Sequence, residues 1–188
     1  MVKLDINIRE AAVDDASLVG EVVLMALGYD NTHPMAPIFA ELAARELSQY
    51  SYRNALVAEV DGVAVGAIIG YDGARLDELR KPLYELMVER FGSVRQVEDE
   101  TSAGEFYLDS LAVLPQFRGK GVGGALLVAA RDRAFVAGYE RVGLIVDFAN
   151  PRAEALYNSL GFERMNVIKF LGHDMWHLQA YRPKQQLM

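Results

Sequence analysis

Two apolar, β-branched runs, Ala55 to Val60 and Val63 to Tyr71, are separated by Asp61-Gly62 alone. Two residues cannot hold a crossover connection, and Asp-Gly readily takes the positive-φ geometry of a tight turn, so these runs must lie side by side as antiparallel strands. Any sheet that contains them is mixed or antiparallel. A wholly parallel, doubly wound architecture is excluded by this hairpin.

The rest of the chain arranges itself around that pair. Alternation of Leu4, Ile6 and Ile8 predicts a first strand, β1, over 4–11, and Asp14-Asp15 precedes a first helix, α1, with Leu18, Val22 and Met25 at helical spacing. The turn-rich "GYDNTHPMAP" ends α1, and a second helix, α2, is expected from near Pro37 to about Tyr50. The hairpin runs are β2 and β3. Arg75 to Phe91 carries Leu76, Leu79, Leu83, Leu86 and Met87 at helical intervals, with Pro82 expected to kink that helix or begin another. Gly92 to Gly104 reads as an acidic loop.

Next come a strand over Glu105 to Val113 (β4), a helix over Gly121 to Ala137 stopped by Gly138, and a buried strand over Arg141 to Val146 (β5). Asn150-Pro151 opens a short helix closed by Gly161, since Asn caps well and Pro suits the first helical position. Strands near Phe162 to Ile168 and His173 to Tyr181 finish the chain. The expected order is therefore β-α-α-β-β, helical insertion, β-α-β-α-β-β: an α/β (α+β) fold with a mixed central sheet of about seven strands. We expect one domain over 1–182, with the insertion at 72–104 and a loose tail at 183–188.

At 188 residues and 52% hydrophobic content, the chain can bury a core without metals or disulfides. It has no cysteine, which removes covalent thiol chemistry and fits a reducing compartment. The first residues lack an apolar signal region and no stretch is apolar enough to span a membrane, so a cytoplasmic location is expected. The formal charge of −7 argues against nucleic acid and, with the Asp30 and Glu41 neighbourhood and the acids around Glu98 to Glu100, tilts the expected partner toward a cationic small molecule or basic peptide.

"QFRGKGVGGALL", Gln116 to Leu127, contains two overlapping glycine patterns. Gly119, Gly121 and Gly124 match G-x-G-x-x-G, the fingerprint of a dinucleotide-binding oxidoreductase. That fingerprint should follow the first strand directly and be trailed by several strand–helix units, whereas here an antiparallel hairpin precedes it and Pro115 to Arg118 intervene. In either parse, backbone N–H groups at a helix N-terminus, with Arg118 and Lys120 beside them, suit an anion.

The second parse, Arg118-x-x-Gly121-x-Gly123, resembles the acetyl-CoA pyrophosphate loop of the GNAT superfamily of N-acetyltransferases. "LAVLPQFRGKGVGGALL" is similar to that family's strand, loop and helix, "NPRAEALYNSLGF" to its later element ending in a helix with a tyrosine, and "IREAAVDDAS" to its usual opening. The resemblance covers nearly the whole chain except Asp72 to Gly104, where the family commonly has a short turn. It implies that β4 and β5 are parallel and splay apart, with the pantetheine arm of acetyl-CoA along the β4 backbone at Leu111, Ala112 and Val113. The pyrophosphate would take N–H groups from Arg118, Gly119, Lys120, Gly121, Val122, Gly123 and Gly124, with Asn150 toward the rest of the cofactor; apart from the resemblance, we add Arg152 as a residue expected to reach the adenosine phosphate.

The reaction so implied is direct attack of a primary amine on the thioester. Tyr157 matches the tyrosine that protonates the departing thiolate, and a β4 N–H near Leu111 or Ala112 would face the oxyanion. For the base, side chains two apart on a strand share a face, so Glu105, Tyr107 and Asp109 should line up with Leu111; Asp109 is the first candidate and Glu105 the reserve. Tyr29, Asp30 and His33 on the loop after α1, with Tyr107, are candidate acceptor-binding residues. Each has a plainer reading: Asn150 as a helix cap, Tyr157 as a packing aromatic, Arg118 and Lys120 as solvated loop residues. A domain that binds acyl-CoA without turnover is the competing function. His173 and His177 lack the glutamate of a zinc motif, so no metal is expected; the insertion stripe reads as a helix packed on the body that could also form one wall of the acceptor pocket or a homodimer contact, and Trp176 reads as core or interface.

Overall fold

The computed structural model describes residues 4–183, so the expected tail falls almost wholly outside the described residues. Seven strands form one sheet in the order β1-β2-β3-β4-β5-β7-β6. They are β1 (Ile6–Glu10), β2 (Ala55–Val60), β3 (Val63–Asp72), β4 (Phe106–Val113), β5 (Arg141–Asp147), β6 (Glu163–Phe170) and β7 (His173–Tyr181). The β2/β3 hairpin is antiparallel with Val60 opposite Val63, and Asp61 and Gly62 both take positive φ in the turn, as the sequence requires. Among the described residues, only β4 and β5 run parallel. The last strand, β7, threads between β5 and β6, a neighbour order that the sequence does not disclose.

Helices α1 (Ala16–Ala26), α2 (Ala36–Ala44) and α3 (Leu76–Phe91) cover one face, where Val19, Val23, Phe39, Leu42 and Leu86 pack on Val57, Ile69 and Tyr107. Helix α4 (Val122–Val136) and the short α5 (Pro151–Ser159) cover the other, where Leu126, Leu127 and Phe162 meet Ile68, Leu108 and Leu144. Helix α2 stops at Ala44, short of the expected Tyr50, because Arg45 turns to extended backbone and Ser48, Gln49 and Ser51 fold inward as buried polar residues. The Gln49 N–H donates to Leu79 O at 2.8 Å, which ties that turn to α3. Pro82 neither breaks nor divides α3: Leu76, Leu79 and Leu86 are buried along one continuous helix.

Two features of β4 shape everything around it. Opposite β3, Ile69 pairs with Ser110 and Gly70 with Leu108, so Asp109 is an extra residue, a β-bulge. The bulge exchanges the faces of the strand beyond it. Tyr107 belongs to the α1–α3 side and Leu108 to the α4 side, but past the bulge it is Ala112 that faces α1–α3 and Leu111 and Val113 that face α4. The expected alignment of Tyr107 and Asp109 with Leu111 is corrected by this one inserted residue.

The second feature is the parting of β4 from β5, which pair only at Phe106–Val142 and Tyr107–Gly143. Glu105 closes the paired end. Its buried carboxylate accepts from Gln179 Nε2 at 2.6 Å and Thr101 Oγ1 at 2.7 Å and lies 3.0 Å from His177 Nε2, spanning from the start of β4 to β7. It sits directly over Gly143, where an added Cβ would meet the carboxylate at 2.0 Å. Gly143→Ala therefore displaces Glu105 from partners it needs when buried, and we expect a loss of about 2–3 kcal/mol, read as a fall in Tm of roughly 5–10 °C. An unchanged Tm would show that the carboxylate does not hold this junction.

Candidate functional site

Beyond Tyr107 the strands diverge and leave a cleft of about 410 Å³, lined among others by Tyr107, Asp109, Leu111, Asn150 and Tyr157. Among the described residues, no strand pairs with β4 on that side past Tyr107. Leu114 N–H donates to Val65 O, so alternation turns the backbone groups of Ala112 toward β3 and those of Leu111 and Val113 toward the cleft. Arg118 Nε takes the Val113 carbonyl at 2.7 Å and its guanidinium touches Met25 Sδ at 3.5 Å. Arg118 is thus a strut that fixes the glycine loop to β4 rather than a free charge.

The loop itself is shaped by positive φ at Gly119 (72°) and Gly121 (89°), the latter being the residue just before α4. A Cβ built at either would meet nothing within 4 Å, so both glycines border open space. Among the described residues no side chain caps α4, and the first helical bond is Ala125 N–H to Gly121 O at 3.0 Å. The N–H groups of Val122, Gly123 and Gly124 therefore stand free at the positive end of the helix dipole. Lys120 lies over the Phe117 ring at 5.5 Å. This is a cradle that a phosphate group fits, with room where side chains would otherwise stand.

Asp109 is held by three donors: Tyr71 OH at 2.7 Å, Ser110 Oγ at 2.7 Å and Gln49 Nε2 at 3.3 Å. Burial nevertheless pushes its carboxyl above the usual range, because the bonds recover only part of the lost hydration. Glu100, from the insertion, is a second buried carboxyl; burial and then the Asp109 charge push it up to about 7, although it is paired with Arg80. Tyr71 OH bridges the two, reaching Glu100 Oε1 at 3.4 Å. Tyr157, on α5, has its phenol raised by burial and so remains protonated. Asn150 caps that helix, its Oδ1 accepting from Ala153 N–H at 3.1 Å while the residue also lines the cleft.

Other expected site residues lie elsewhere. Glu105 is outside the cleft lining; burial would raise its carboxyl, but His177, Thr101 and Gln179 outweigh that and hold it below the usual range. Asp30 is occupied by Thr32, through the N–H at 2.9 Å and the hydroxyl at 2.5 Å. Tyr29 and His33 stack at 3.9 Å, with Tyr29 on the cleft and both on a second cavity. Arg152 is exposed on the first turn of α5. Sequence reasoning missed Gln49, Tyr50 and Tyr71, and brought in Glu100 only as an acid near the acceptor, without its place beside Asp109. Tyr71 was read as the end of a strand, Gln49 as the end of a helix, and Glu100 as one of several loop acids.

The second cavity, about 230 Å³, adjoins the cleft and shares Leu27, Tyr29, Tyr50, Glu100, Phe170 and Leu171 with it. Its outer wall is the 72–104 insertion: Leu83, Tyr84 and Met87 from α3, and Val94 and Val97 from the segment that follows. Arg80 pins that segment, donating to Val97 O at 3.3 Å and Asp99 Oδ1 at 2.9 Å. Among the described residues, no helix is long and apolar enough to cross a membrane.

Comparison with known proteins agrees with this architecture. The sequence profile of the Acetyltransferase (GNAT) family matches residues 24–162. A mycothiol acetyltransferase of Kocuria rhizophila is 42% identical over 69 residues, which cover 37% of this chain and 22% of that protein. The chain thus matches only about a fifth of that relative's length. An acetyltransferase of Sodalis glossinidius is 27% identical over 67% of this chain and 68% of its own. Among solved structures, one described as an acetyltransferase superposes with a TM-score of 0.78 at 32% identity, covering 93% of this chain and 98% of that one.

The bridged carboxyls make one outcome specific. The Tyr71 hydroxyl stabilises the charged form of Asp109, so Tyr71→Phe moves the titration midpoint of Asp109 further upward, as followed by carbon NMR of the carboxyl. A midpoint that stays or falls would place the hydroxyl's bond elsewhere.

Proposed function

The chain belongs to the acetyltransferase (GNAT) family, and from that premise we propose that it moves an acetyl group from acetyl-CoA to a primary amine by direct attack in a ternary complex. One observation carries the reading: Asp109 and Tyr157 line a single cleft onto which the unpaired β4 backbone at Leu111 opens. The open glycine cradle at Gly119 to Gly124 suits the cofactor's pyrophosphate, and the cleft-facing groups of Leu111 with the Val113 N–H suit its amide-bearing arm, the Val113 carbonyl being held by Arg118.

Acetyl-CoA supplies the activated acyl carbon and a thiolate leaving group. The protein's own tasks are then three. Asp109, raised by burial, accepts the ammonium proton and leaves a neutral amine nitrogen free to form the new bond to carbon. The cleft-side N–H of Leu111 is placed to donate to developing negative charge on oxygen. As the carbon–sulfur bond breaks, the Tyr157 hydroxyl, kept protonated by burial, gives its proton to sulfur and is restored by the second proton that the nitrogen sheds as the amide forms. The lack of cysteine is consistent with a path that needs no acyl-enzyme.

Gly123 offers a test of the cradle that separates folding from binding. Its backbone is ordinary helix and an added Cβ makes only a 3.9 Å contact with Val113, so Gly123→Asp keeps the fold and even suits the start of α4. Its carboxylate opposes the pyrophosphate, and CoA affinity by calorimetry should fall at least ~100-fold with Tm unchanged. Unaltered affinity would place the pyrophosphate elsewhere.

For the chemistry, Asp109→Asn should lower kcat by about 10²–10³-fold and leave the KM for acetyl-CoA within roughly threefold. In the wild type, kcat/KM for the amine should rise with pH through about 7, because the Glu100 and Asp109 pair must shed a proton before the base can act. Tyr157→Phe should lower kcat by about 10–100-fold while retaining that rise. CoA binding with no thiol release from any amine would overturn acetyl transfer itself.

A further inference from the structure

We propose that the insertion-built cavity is the acceptor site and that it selects a primary amine carried on one aryl or branched-alkyl body, in preference to polyamines or basic peptides. The proposal rests on the acetyl-transfer reading only for the orientation of the amine toward the cleft. Three observations converge on it: what lines the cavity, how its acids are engaged, and which buried polar atom lacks a partner.

The walls are hydrocarbon and aromatic, with Met35, Phe39, Leu83, Met87, Val97 and Phe170 enclosing about 230 Å³. At ~30 Å³ per water that is room for roughly eight, more than a methyl group needs and less than a peptide segment occupies. Apolar contact with an aryl body is favourable here, whereas a second ammonium would lose its hydration with no free carboxylate to meet. The acids nearby are already engaged. Glu41 is paired with Arg45 at 2.7 Å and Arg90 at 3.0 Å, Glu98 accepts from Leu171 N–H at 3.2 Å, and Asp30 is occupied by Thr32. Arg95 stands exposed among the lining residues and adds positive charge to the surroundings. The charged residues that line this cavity are Arg80, Arg95 and Glu100, so the overall acidity of the chain is not displayed there, and the cationic acceptor expected from composition narrows to a singly charged one.

The inner end is where one amine belongs. Glu100 is common to the cavity and the cleft, and Asp109 lines the cleft beside it. Gln49 lines the cavity, is 2% exposed, and gives its Nε2 to Asp109, while its Oε1 is buried with no hydrogen-bond partner among the described residues. A buried amide oxygen without a donor is rare because it forfeits hydration for nothing. An ammonium at this end meets two carboxyls at the same time, with the Gln49 amide beside them and its apolar body behind it in the cavity.

The test uses binding as well as turnover, so that a failure of acetyl transfer is distinguishable from a failure of the acceptor assignment. Calorimetry on the CoA-saturated protein with 2-phenylethylamine and with spermidine should show the arylalkylamine binding about tenfold to a hundredfold tighter, the range expected for burying a side chain of that size. The same order should appear in kcat/KM. Leu83→Trp, which fills the cavity, should weaken 2-phenylethylamine by at least about tenfold without changing CoA affinity; Gln49→Leu should raise its KM more than it lowers kcat. Met87→Ala, which enlarges the cavity, keeps the test open if the tryptophan variant fails to fold, and should shift the preference toward a longer arylalkylamine. Tighter binding of spermidine, or a Leu83→Trp protein that binds 2-phenylethylamine as the wild type does, would overturn the proposal. Selective arylalkylamine binding without acetylation would leave the cavity assignment standing and remove the acetyl-transfer reading beneath it.

Discussion

The parting of two parallel strands after only two residue pairs is the constraint on which the rest of the molecule depends. A parallel pair that separates exposes unpaired backbone groups on both edges, which is costly unless something is meant to occupy them. The separation is held from one end by Glu105, whose carboxylate sits over Gly143 and draws β7 in through His177 and Gln179. It is shaped from the strand itself by the bulge at Asp109, which bends β4 and turns one carboxyl toward the cleft. The two acids that sequence reading placed together as candidate bases thus sit in different surroundings: one bonded at the closed end, the other on the open cleft.

That difference is electrostatic as well as geometric. Glu105 has partners enough to hold its charge, and its carboxyl is depressed; it contributes stability above the ordinary carboxylate range that is lost as pH falls through its folded value. Glu100 is the reverse case. Its folded value of about 7 lies above the ordinary one, so the folded state binds the proton more tightly and loses stability as pH rises from about 4 to about 7. A protein that keeps Glu100 and Asp109 in one hydrogen-bonded cluster sacrifices stability near neutral pH for a site able to take up a proton there.

How far the sequence discloses this follows from which signals are local. The Asp61-Gly62 hairpin, the positive-φ glycines before α4 and the Asn150-Pro151 cap are local signals, and each element appears where its residues place it. The placement of β7 between β5 and β6 depends on pairing between distant segments, and no short pattern encodes it. The bulge was hidden for another reason: one added residue in a run of alternating apolar side chains leaves no mark in composition, yet it reverses the face of Leu111. Gln49 reads as the end of helix α2 and Glu100 as one acid of a loop, so neither carries a local signal of the site, and only the fold brings them to Asp109 and Tyr71.

The insertion between β3 and β4 ties the proposed acceptor cavity to the buried carboxyl cluster. Its helix supplies Leu83, Tyr84 and Met87 to the apolar cavity, and the segment after it supplies Glu100 to the carboxyl cluster. Both are positioned by one side chain, Arg80, which is buried and holds Val97, Asp99 and Glu100 together. Charge-assisted bonds of this kind fix geometry tightly when buried, and removing one partner leaves the other uncompensated. A change in the insertion that reshapes the cavity therefore also moves Glu100, whose charge acts on Asp109 and whose carboxyl shares the Tyr71 hydroxyl with it. On the proposed assignments, acceptor size and the proton affinity of the base are therefore not independent, because the same short segment sets both.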